Sequence, residues 1–272
     1  MRKAYISSDR LTFLMYKKLI QPHTIVRLNL LTIIWWCDMN NKNISQNINQ
    51  NENDNELQNL QELGQVNIPD FESSIFTLPI IGEIEGHGEL PQGRKSTKYE
   101  HVIPQLLAVE QNPKYEGLFL IINTVGGDVE AGLALSELIS SMKKPSVSLV
   151  IGGGHSIGVP LSVSTNHSFI APTASMTIHP IRTSGLVIAV SQSFEYFKRM
   201  QERIVSFVEK NSKIQKDRFE ELMLNNREMA NDLGSILVGQ NAVDEGLIDS
   251  VGGLSDALIK IQELIDERKA EN

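Results

Sequence analysis

Apolar and polar residues alternate in blocks from Ser74 onward, and these blocks predict strands and helices in turn. The runs 117–122 and 147–151 are continuously apolar, which is typical of strands covered on both faces. Helical spacing of apolar residues follows in 99–111 and again after Asp128, which can cap its helix. Strands that alternate with helices imply right-handed crossovers, so the pattern predicts an α/β fold with a largely parallel sheet.

The remaining blocks predict shorter elements. Further strands are expected at 75–81, ended by Gly82, and at 168–170 and 176–178. Helices are expected after Ser156 to about Ser164, over 193–210, and from Ser255. The 193–210 helix carries many apolar side chains on one side, which serve either core packing or a subunit contact: Phe194, Phe197, Ile204, Phe207 and Val208.

The N-terminal part has a different composition. More than half of residues 40–65 are Asn or Gln, which predicts disorder, so we expect an extension over 1–73 and one domain over 74–272. The apolar stretch 25–37 is too short to span a membrane and no small-residue cleavage site follows it, so neither stable membrane insertion nor secretion is expected. Residues 1–38 are interpreted as sequence upstream of a true start at Met39, with a weak interfacial anchor as the alternative.

Charge and cysteine content narrow the function classes. The chain has 272 residues, a formal net charge of −8 and a pI near 5.3, which argues against nucleic acid as the main partner. The single cysteine, Cys37, excludes an internal disulfide and fits a reducing, cytoplasmic compartment. No His, Cys or carboxylate cluster has the spacing of metal ligands, so we expect neither metal nor other cofactor.

Three loops that follow strands carry the candidate chemistry, because open α/β sheets place their sites at such strand ends. Gly126-Gly127 leads into a helix and can expose backbone N–H groups, although a plain tight turn explains it equally well. Ser156 lies in Gly154-His155-Ser156-Ile157-Gly158, a G-x-S-x-G pattern that presents a serine on a sharp turn, or else a serine that caps the next helix. His179 ends a strand and can reach a neighbouring loop as the base.

Two further observations limit this interpretation. His155 adjoins Ser156, but neighbouring side chains should diverge there, so His155 is not assigned as the base. No Asp or Glu lies between Ser156 and His179, which argues against the order serine, acid, histidine of the α/β-hydrolases.

Four passages resemble the ClpP family of serine peptidases, in the same order along the chain. They are 122–129, with Val125 where ClpP has proline, 154–158 around the nucleophile, 172–180 around the histidine, and 241–249 near the end of the domain. Within the ClpP-like peptidases, the passages 97–105, 123–132 and 152–160 are similar to the translocation-enhancing (TepA) branch.

The resemblance implies a cytosolic serine endopeptidase with a ClpP/crotonase-like spiral of repeated ββα units, assembled into homo-oligomeric rings and acting on peptides or unfolded proteins. It also implies a link to protein export or quality control. Ser156 would be the nucleophile and His179 the base, with an oxyanion held by the backbone N–H of Gly127 and Ile157.

The resemblance departs from ClpP in two places. Ungapped alignment puts Gly234 at the acid position, whereas Asp232, two residues earlier, reaches it after a small deletion and is taken as the third catalytic residue. The stretch before Ser74 does not resemble the ClpP N-terminal hairpin, which argues against an AAA+ unfoldase as partner.

Other classes remain open on the sequence. A catalytically weak or inactive ring-forming adaptor in protein export is favoured by Gly234 and by the missing hairpin. A crotonase-type acyl-CoA enzyme would share the oxyanion glycines, yet it needs no nucleophilic serine loop. The sequence also has no cluster of basic residues that could bind a CoA phosphate. A Ser–Lys dyad is disfavoured because His179 already fits the position of the base.

The start site is directly testable. If residues 1–38 are upstream sequence, the intact mass of the native protein corresponds to a chain that begins at Met39. A native product that begins before Met39 contradicts the hypothesis.

Overall fold

Parallel strands dominate the fold, as the alternation of strands and helices predicts. The computed structural model describes residues 73–91, 93–182, 189–226 and 233–271, and within them it defines eight strands and seven helices. The strands are β1 (Ile75–Glu85), β2 (Ser96–Lys98), β3 (Gly117–Gly127), β4 (Ser146–Gly154), β5 (His167–Ile170), β6 (Ser175–Ile178), β7 (Ser235–Val238) and β8 (Ser250–Val251). The helices are α1 (Tyr99–Gln111), α2 (Val129–Ser140), α3 (Gly158–Ser162), α4 (Val190–Asn211), α5 (Lys216–Met223), α6 (Gln240–Asp244) and α7 (Leu254–Glu271).

The sheet has a parallel main path and a short branch. Its neighbours run in the order β2-β1-β3-β4-β5-β8, and every pair along that path is parallel. Strand β6 pairs with the end of β4, where Gly153 lies opposite Ser175, and it pairs antiparallel with β7. The α/β class with a mostly parallel sheet is therefore confirmed, and the branch places the end of β6 beside the end of β4.

Local sequence signals position the elements, with one correction. Asp128 caps α2 as predicted, because its Oδ1 accepts a hydrogen bond from the N–H of Ala131 at 2.8 Å. The prediction that Gly82 ends the first strand is wrong, because β1 continues to Glu85. Gly82 has a φ of 83° and lies where the register between β1 and β3 shifts. It therefore forms a local irregularity, beyond which the two strands continue to pair.

Two apolar clusters hold the layers together. The larger lies between the sheet and helices α1 to α5. The smaller lies under α7, whose Ala257, Ile261 and Ile265 pack against side chains of β3, β4 and β5: Phe119, Val147, Leu149 and Phe169. Helix α7 is also joined to the segment before β3 by an ion pair between Lys269 and Glu116 at 2.5 Å. The C-terminal helix therefore covers one face of the sheet.

The two halves of helix α4 differ in burial, which bears on the two roles predicted for it, core packing and a subunit contact. In its second half Val205, Phe207 and Val208 are buried in the larger cluster. In its first half Val190 and Phe194 are 73% and 67% exposed. Core packing accounts for the second half, whereas Val190 and Phe194 of the first half are not buried by any of the residues that the structure describes.

The predicted N-terminal extension, except for Ser73, lies outside the described residues. Within the described ranges no helix is long and apolar enough to cross a membrane.

Asp249 ties the last strand to two other parts of the fold. One carboxylate oxygen accepts hydrogen bonds from the N–H and the hydroxyl of Ser168, each at 3.0 Å, and the other lies 2.9 Å from the ammonium group of Lys213. Burial alone would raise the pKa of Asp249, but these bonds outweigh burial and lower that pKa below its ordinary value. The ionised carboxylate therefore stabilises the folded state.

Replacing this carboxylate should destabilise the fold in a pH-dependent way. Because the folded pKa lies below the unfolded value of about 3.9, the stabilisation is complete above that pH and is lost as the pH falls through the folded pKa. We expect Asp249→Asn to lower the free energy of unfolding by about 2 kcal/mol at pH 7 and at pH 5, as for a hydrogen bond to a charged group. Denaturant titrations at both pH values and at pH 3 measure the difference, which should shrink only at pH 3. Asp217→Asn on an exposed position of α5 is the control, and an equal loss in both variants contradicts the prediction.

Candidate active site

Ser156 lies on a sharp turn between β4 and α3. Its φ is 56°, in the left-handed region that residues other than glycine rarely adopt and that costs about 1–3 kcal/mol. The Ser156 N–H donates to the carbonyl of Thr177 on β6 at 2.8 Å, and the Gly158 N–H donates to the carbonyl of His155 at 2.8 Å. Strand, strained serine and helix in this order form the geometry expected of a serine presented as a nucleophile.

Four of the residues predicted for the site line one cavity of about 140 Å³: Gly127, Ser156, Ile157 and His179. Most of the other lining side chains are apolar, namely Val129, Val159, Ile178, Pro180, Ile181, Ile204, Phe219 and Met223, and Arg182 also contributes. The four predicted residues lie at the carboxyl ends of β3, β4 and β6, and helices α4 and α5 supply part of the apolar wall.

The imidazole of His179 has a defined tautomer. Its Nδ1 lies 2.6 Å from the carbonyl oxygen of Pro180, and a carbonyl oxygen only accepts hydrogen bonds. Nδ1 therefore carries the proton and Nε2 is left as the basic nitrogen. Among the described residues no hydrogen bond joins the Ser156 hydroxyl to this ring.

The residue directly before β7 is not an acid. Strand β7 runs antiparallel to β6 with Ser235 opposite Ile178, so Gly234 precedes β7 at the same end of the pair at which His179 follows β6. This agrees with the ungapped alignment, which puts Gly234 where ClpP has its acid. Asp232, the predicted third residue, lies outside the described residues, so its role stays a prediction.

Glycines let the end of β3 approach the serine turn. A Cβ on Gly126 would come 2.7 Å from the Cβ of Ser156, and one on Gly127 would come 2.2 Å from the carbonyl oxygen of Ile84. Both distances are shorter than real Cβ contacts, so any side chain at either position would push the backbone away. The paired glycines thus bring the β3 backbone against Ser156, and Gly127 lines the cavity.

His155 has a partner that sequence reasoning missed. Its Nδ1 lies 2.9 Å from the hydroxyl of Thr177, two residues before His179 on β6. Burial lowers the pKa of His155, and the nearby His179 lowers it further. The one sequence signal for this contact is a threonine between the apolar residues Met176 and Ile178, which by itself indicates no partner.

The site contains groups for acyl transfer and no metal ligands. Within the part of the chain that the structure describes, no group of three or more His, Cys, Asp or Glu side chains could hold a metal ion. A serine hydroxyl, an imidazole and a glycine backbone around one cavity are the components of nucleophilic catalysis.

Comparison with known proteins identifies the class. The sequence model of the Clp protease family matches residues 87–254, well over half of the chain. The chain therefore belongs to the Clp protease family, as the four motifs and the fold predict.

Individual relatives refine the comparison. The translocation-enhancing protein TepA of Halalkalibacterium halodurans is 55% identical over 214 residues, which cover 78% of this chain and 84% of that protein. ATP-dependent Clp protease proteolytic subunits of Leuconostoc citreum and Streptococcus uberis are 31% and 30% identical over 80 and 115 residues. These matches cover only 40% and 58% of the two subunits. The similarity to TepA is thus both higher and more extensive, which confirms the predicted branch of the family.

Proposed function

We propose that this chain is a serine endopeptidase in which Ser156 is the nucleophile and His179 the general base. The observation that carries the proposal is that Gly127, Ser156, Ile157 and His179 line one cavity. A nucleophile, a base and two backbone N–H groups around one space are what acyl transfer from a peptide bond requires.

Each residue has a defined step. His179 Nε2 takes the proton of the Ser156 hydroxyl as the oxygen attacks the scissile carbonyl, and the resulting imidazolium returns that proton to the leaving amine. The N–H groups of Gly127 and Ile157 hold the oxyanion, and one such donor lowers the barrier by about 3–4 kcal/mol. Water then repeats the sequence on the acyl-enzyme. Asp232 is proposed to orient His179, with the Pro180 carbonyl holding the same tautomer.

The cavity wall suggests which peptides are cleaved. Val159, Ile204, Phe219 and Met223 form an apolar surface beside Ser156. A positively charged side chain placed there would lose its hydration on this apolar wall, and the charged group that lines the cavity, Arg182, has the same sign. We therefore propose that the residue next to the scissile bond is apolar.

The setting of the activity is also proposed. The exposed apolar half of α4, with Val190 and Phe194, supports a contact between copies of this chain in a homo-oligomeric ring. The similarity to TepA supports a cytoplasmic role connected with protein export or quality control. Peptides or unfolded proteins would be the substrates.

A second candidate, an inactive ring-forming adaptor in protein export, has its own support. The Ser156 hydroxyl is not hydrogen-bonded to His179 in the described structure, and Gly234 lies where an acid would be. Catalytic hydrogen bonds are often long before substrate binds, so the first observation is compatible with either candidate.

Labelling with a fluorophosphonate separates the two candidates. We expect the full-length protein to be labelled at Ser156 and Ser156→Ala to be unlabelled, because only a serine activated by a base reacts with this probe. His179→Ala should abolish labelling, and Asp232→Asn should slow it less, since a dyad keeps part of its rate. Mass spectrometry maps the label, and size-exclusion chromatography with light scattering gives the mass of each sample.

The outcomes are distinct. Wild-type labelling in Ser156→Ala refutes the assigned nucleophile, and an unlabelled wild type in an assembled ring favours the adaptor. Asp232→Asn labelled at the wild-type rate removes Asp232 from the mechanism.

Peptide substrates test the apolar pocket. In peptides that differ only before the scissile bond, Leu should give a kcat/KM at least about tenfold above Lys, as expected for an apolar pocket whose one charged lining residue among those described, Arg182, is positive. Ile204→Asp should remove this preference while the fluorophosphonate rate stays within about twofold, because the probe does not need the pocket. Ile259→Asp, at an exposed position of α7, is the matched control. Equal cleavage of the Leu and Lys peptides by the wild type contradicts the proposal.

A further inference from the structure

The strained conformation of Ser156 needs neighbours that hold it. A φ of 56° in a residue with a side chain persists only where the surroundings fix it. Contacts from two other elements reach this turn: the carbonyl of Thr124 on β3 accepts the His155 N–H at 3.2 Å, and Thr177 on β6 contacts both His155 and Ser156. The contacts from β6 come from the strand that also carries His179.

Thr177 contacts the turn twice. Its backbone carbonyl accepts the Ser156 N–H at 2.8 Å, and its hydroxyl oxygen lies 2.9 Å from the Nδ1 of His155. The first contact fixes the backbone of the nucleophile, and the second fixes the residue before it. Since His179 is two residues further along the same strand, both contacts also set the distance from the serine to the base.

The ring of His155 can lie here because residue 153 is glycine. A Cβ on Gly153 would come 2.7 Å from His155 Nε2 and 2.8 Å from Cδ2, which no real side chain tolerates. The half-buried ring therefore lies over the Gly153 backbone, with Nδ1 turned to Thr177. Gly153 thus leaves room for the His155 ring, and the ring contacts Thr177 on the neighbouring strand β6.

The charge state of His155 suits this position. Because burial and His179 lower its pKa, the ring is neutral at neutral pH, and a neutral ring bonds a hydroxyl without a buried charge. In the proposed reaction His179 becomes positively charged, and a second positive charge on His155 would oppose that step. A neutral histidine can therefore hold the turn without weakening the base.

We propose that His155 and Thr177 are a positioning pair that holds Ser156 in its strained conformation and in register with His179. The inference rests on the proposed peptidase function. Neither residue is among the described residues that line the cavity, so the pair acts through Ser156 rather than on the substrate.

Variants of Thr177 in the full-length protein test the pair. Thr177→Val keeps the shape and the carbonyl but removes the hydroxyl, whereas Thr177→Ser keeps the hydroxyl. We expect Thr177→Val to lower the fluorophosphonate rate and kcat about tenfold with KM unchanged, because one hydrogen bond is lost and the apolar pocket is intact. Thr177→Ser should stay within about twofold of the wild type. Thr173→Val, at an exposed position before β6, is the control.

Variants of His155 test the pair independently. His155→Ala should slow labelling as much as Thr177→Val, and the double variant should be no slower than either single variant, since both remove one interaction. In a ¹⁵N spectrum of the histidine rings, assigned by comparison with His155→Ala, the His155 Nδ1 signal should move in Thr177→Val and stay in Thr177→Ser. Thermal unfolding of each variant checks that the fold is kept.

These measurements separate the two proposals. If the wild type is not labelled, the proposed peptidase function is refuted. The proposed catalytic role of the His155–Thr177 pair is then refuted as well, even if the Nδ1 signal moves as expected. A labelled wild type with Thr177→Val at the wild-type rate overturns the pair alone. Equal loss in Thr177→Val and Thr177→Ser, or an unchanged Nδ1 signal in Thr177→Val, also overturns it.

Discussion

The site depends on the close approach of backbone segments at the carboxyl end of β3. Gly127 lies against the Ile84 carbonyl on one side, and Gly126 lies against the Cβ of Ser156 on the other. A side chain at either glycine would separate β1, β3 and the serine turn, and the cavity would lose its wall. Packing of main chain against main chain, rather than any charge, is therefore what allows a hydroxyl, an imidazole and backbone N–H groups to meet.

Fold and catalysis are constrained separately here. The match to the family model spans the segment from β2 to β8 that forms the strands and the turn. Turnover requires in addition that Ser156 and His179 align, and the surroundings of His179 differ from a complete triad, since the Pro180 carbonyl accepts its Nδ1–H and Gly234 stands at the position aligned with the ClpP acid. The same fold is thus compatible with an enzyme or with a binding protein. The two differ in whether His179 can accept the proton of the Ser156 hydroxyl.

Local signals in the sequence predicted most of the fold, and long-range pairing accounts for what was missed. The cap at Asp128 and the limits of α1 follow from residues close together in the chain. Strand β7 has only four residues and pairs with β6, where Ile236 lies opposite Thr177, 59 positions earlier in the chain, so no local pattern indicates it. Gly127, Ser156, Ile157 and His179 were predicted as site residues because motifs carry them, and they line one cavity. The contact between His155 and Thr177 joins residues that share no motif, so the sequence does not indicate it.

Helix α7 has a consequence for how the protein is made. It covers Phe119, Val147, Leu149 and Phe169, yet it lies just beyond the segment matched by the family and is synthesised after every strand it covers. While the chain leaves the ribosome, that face of the sheet stays open to water until Ala257, Ile261 and Ile265 emerge. This face of the sheet is therefore covered only after α7 has emerged, and a chain stalled before α7 exposes an apolar surface that chaperones and proteases can recognise.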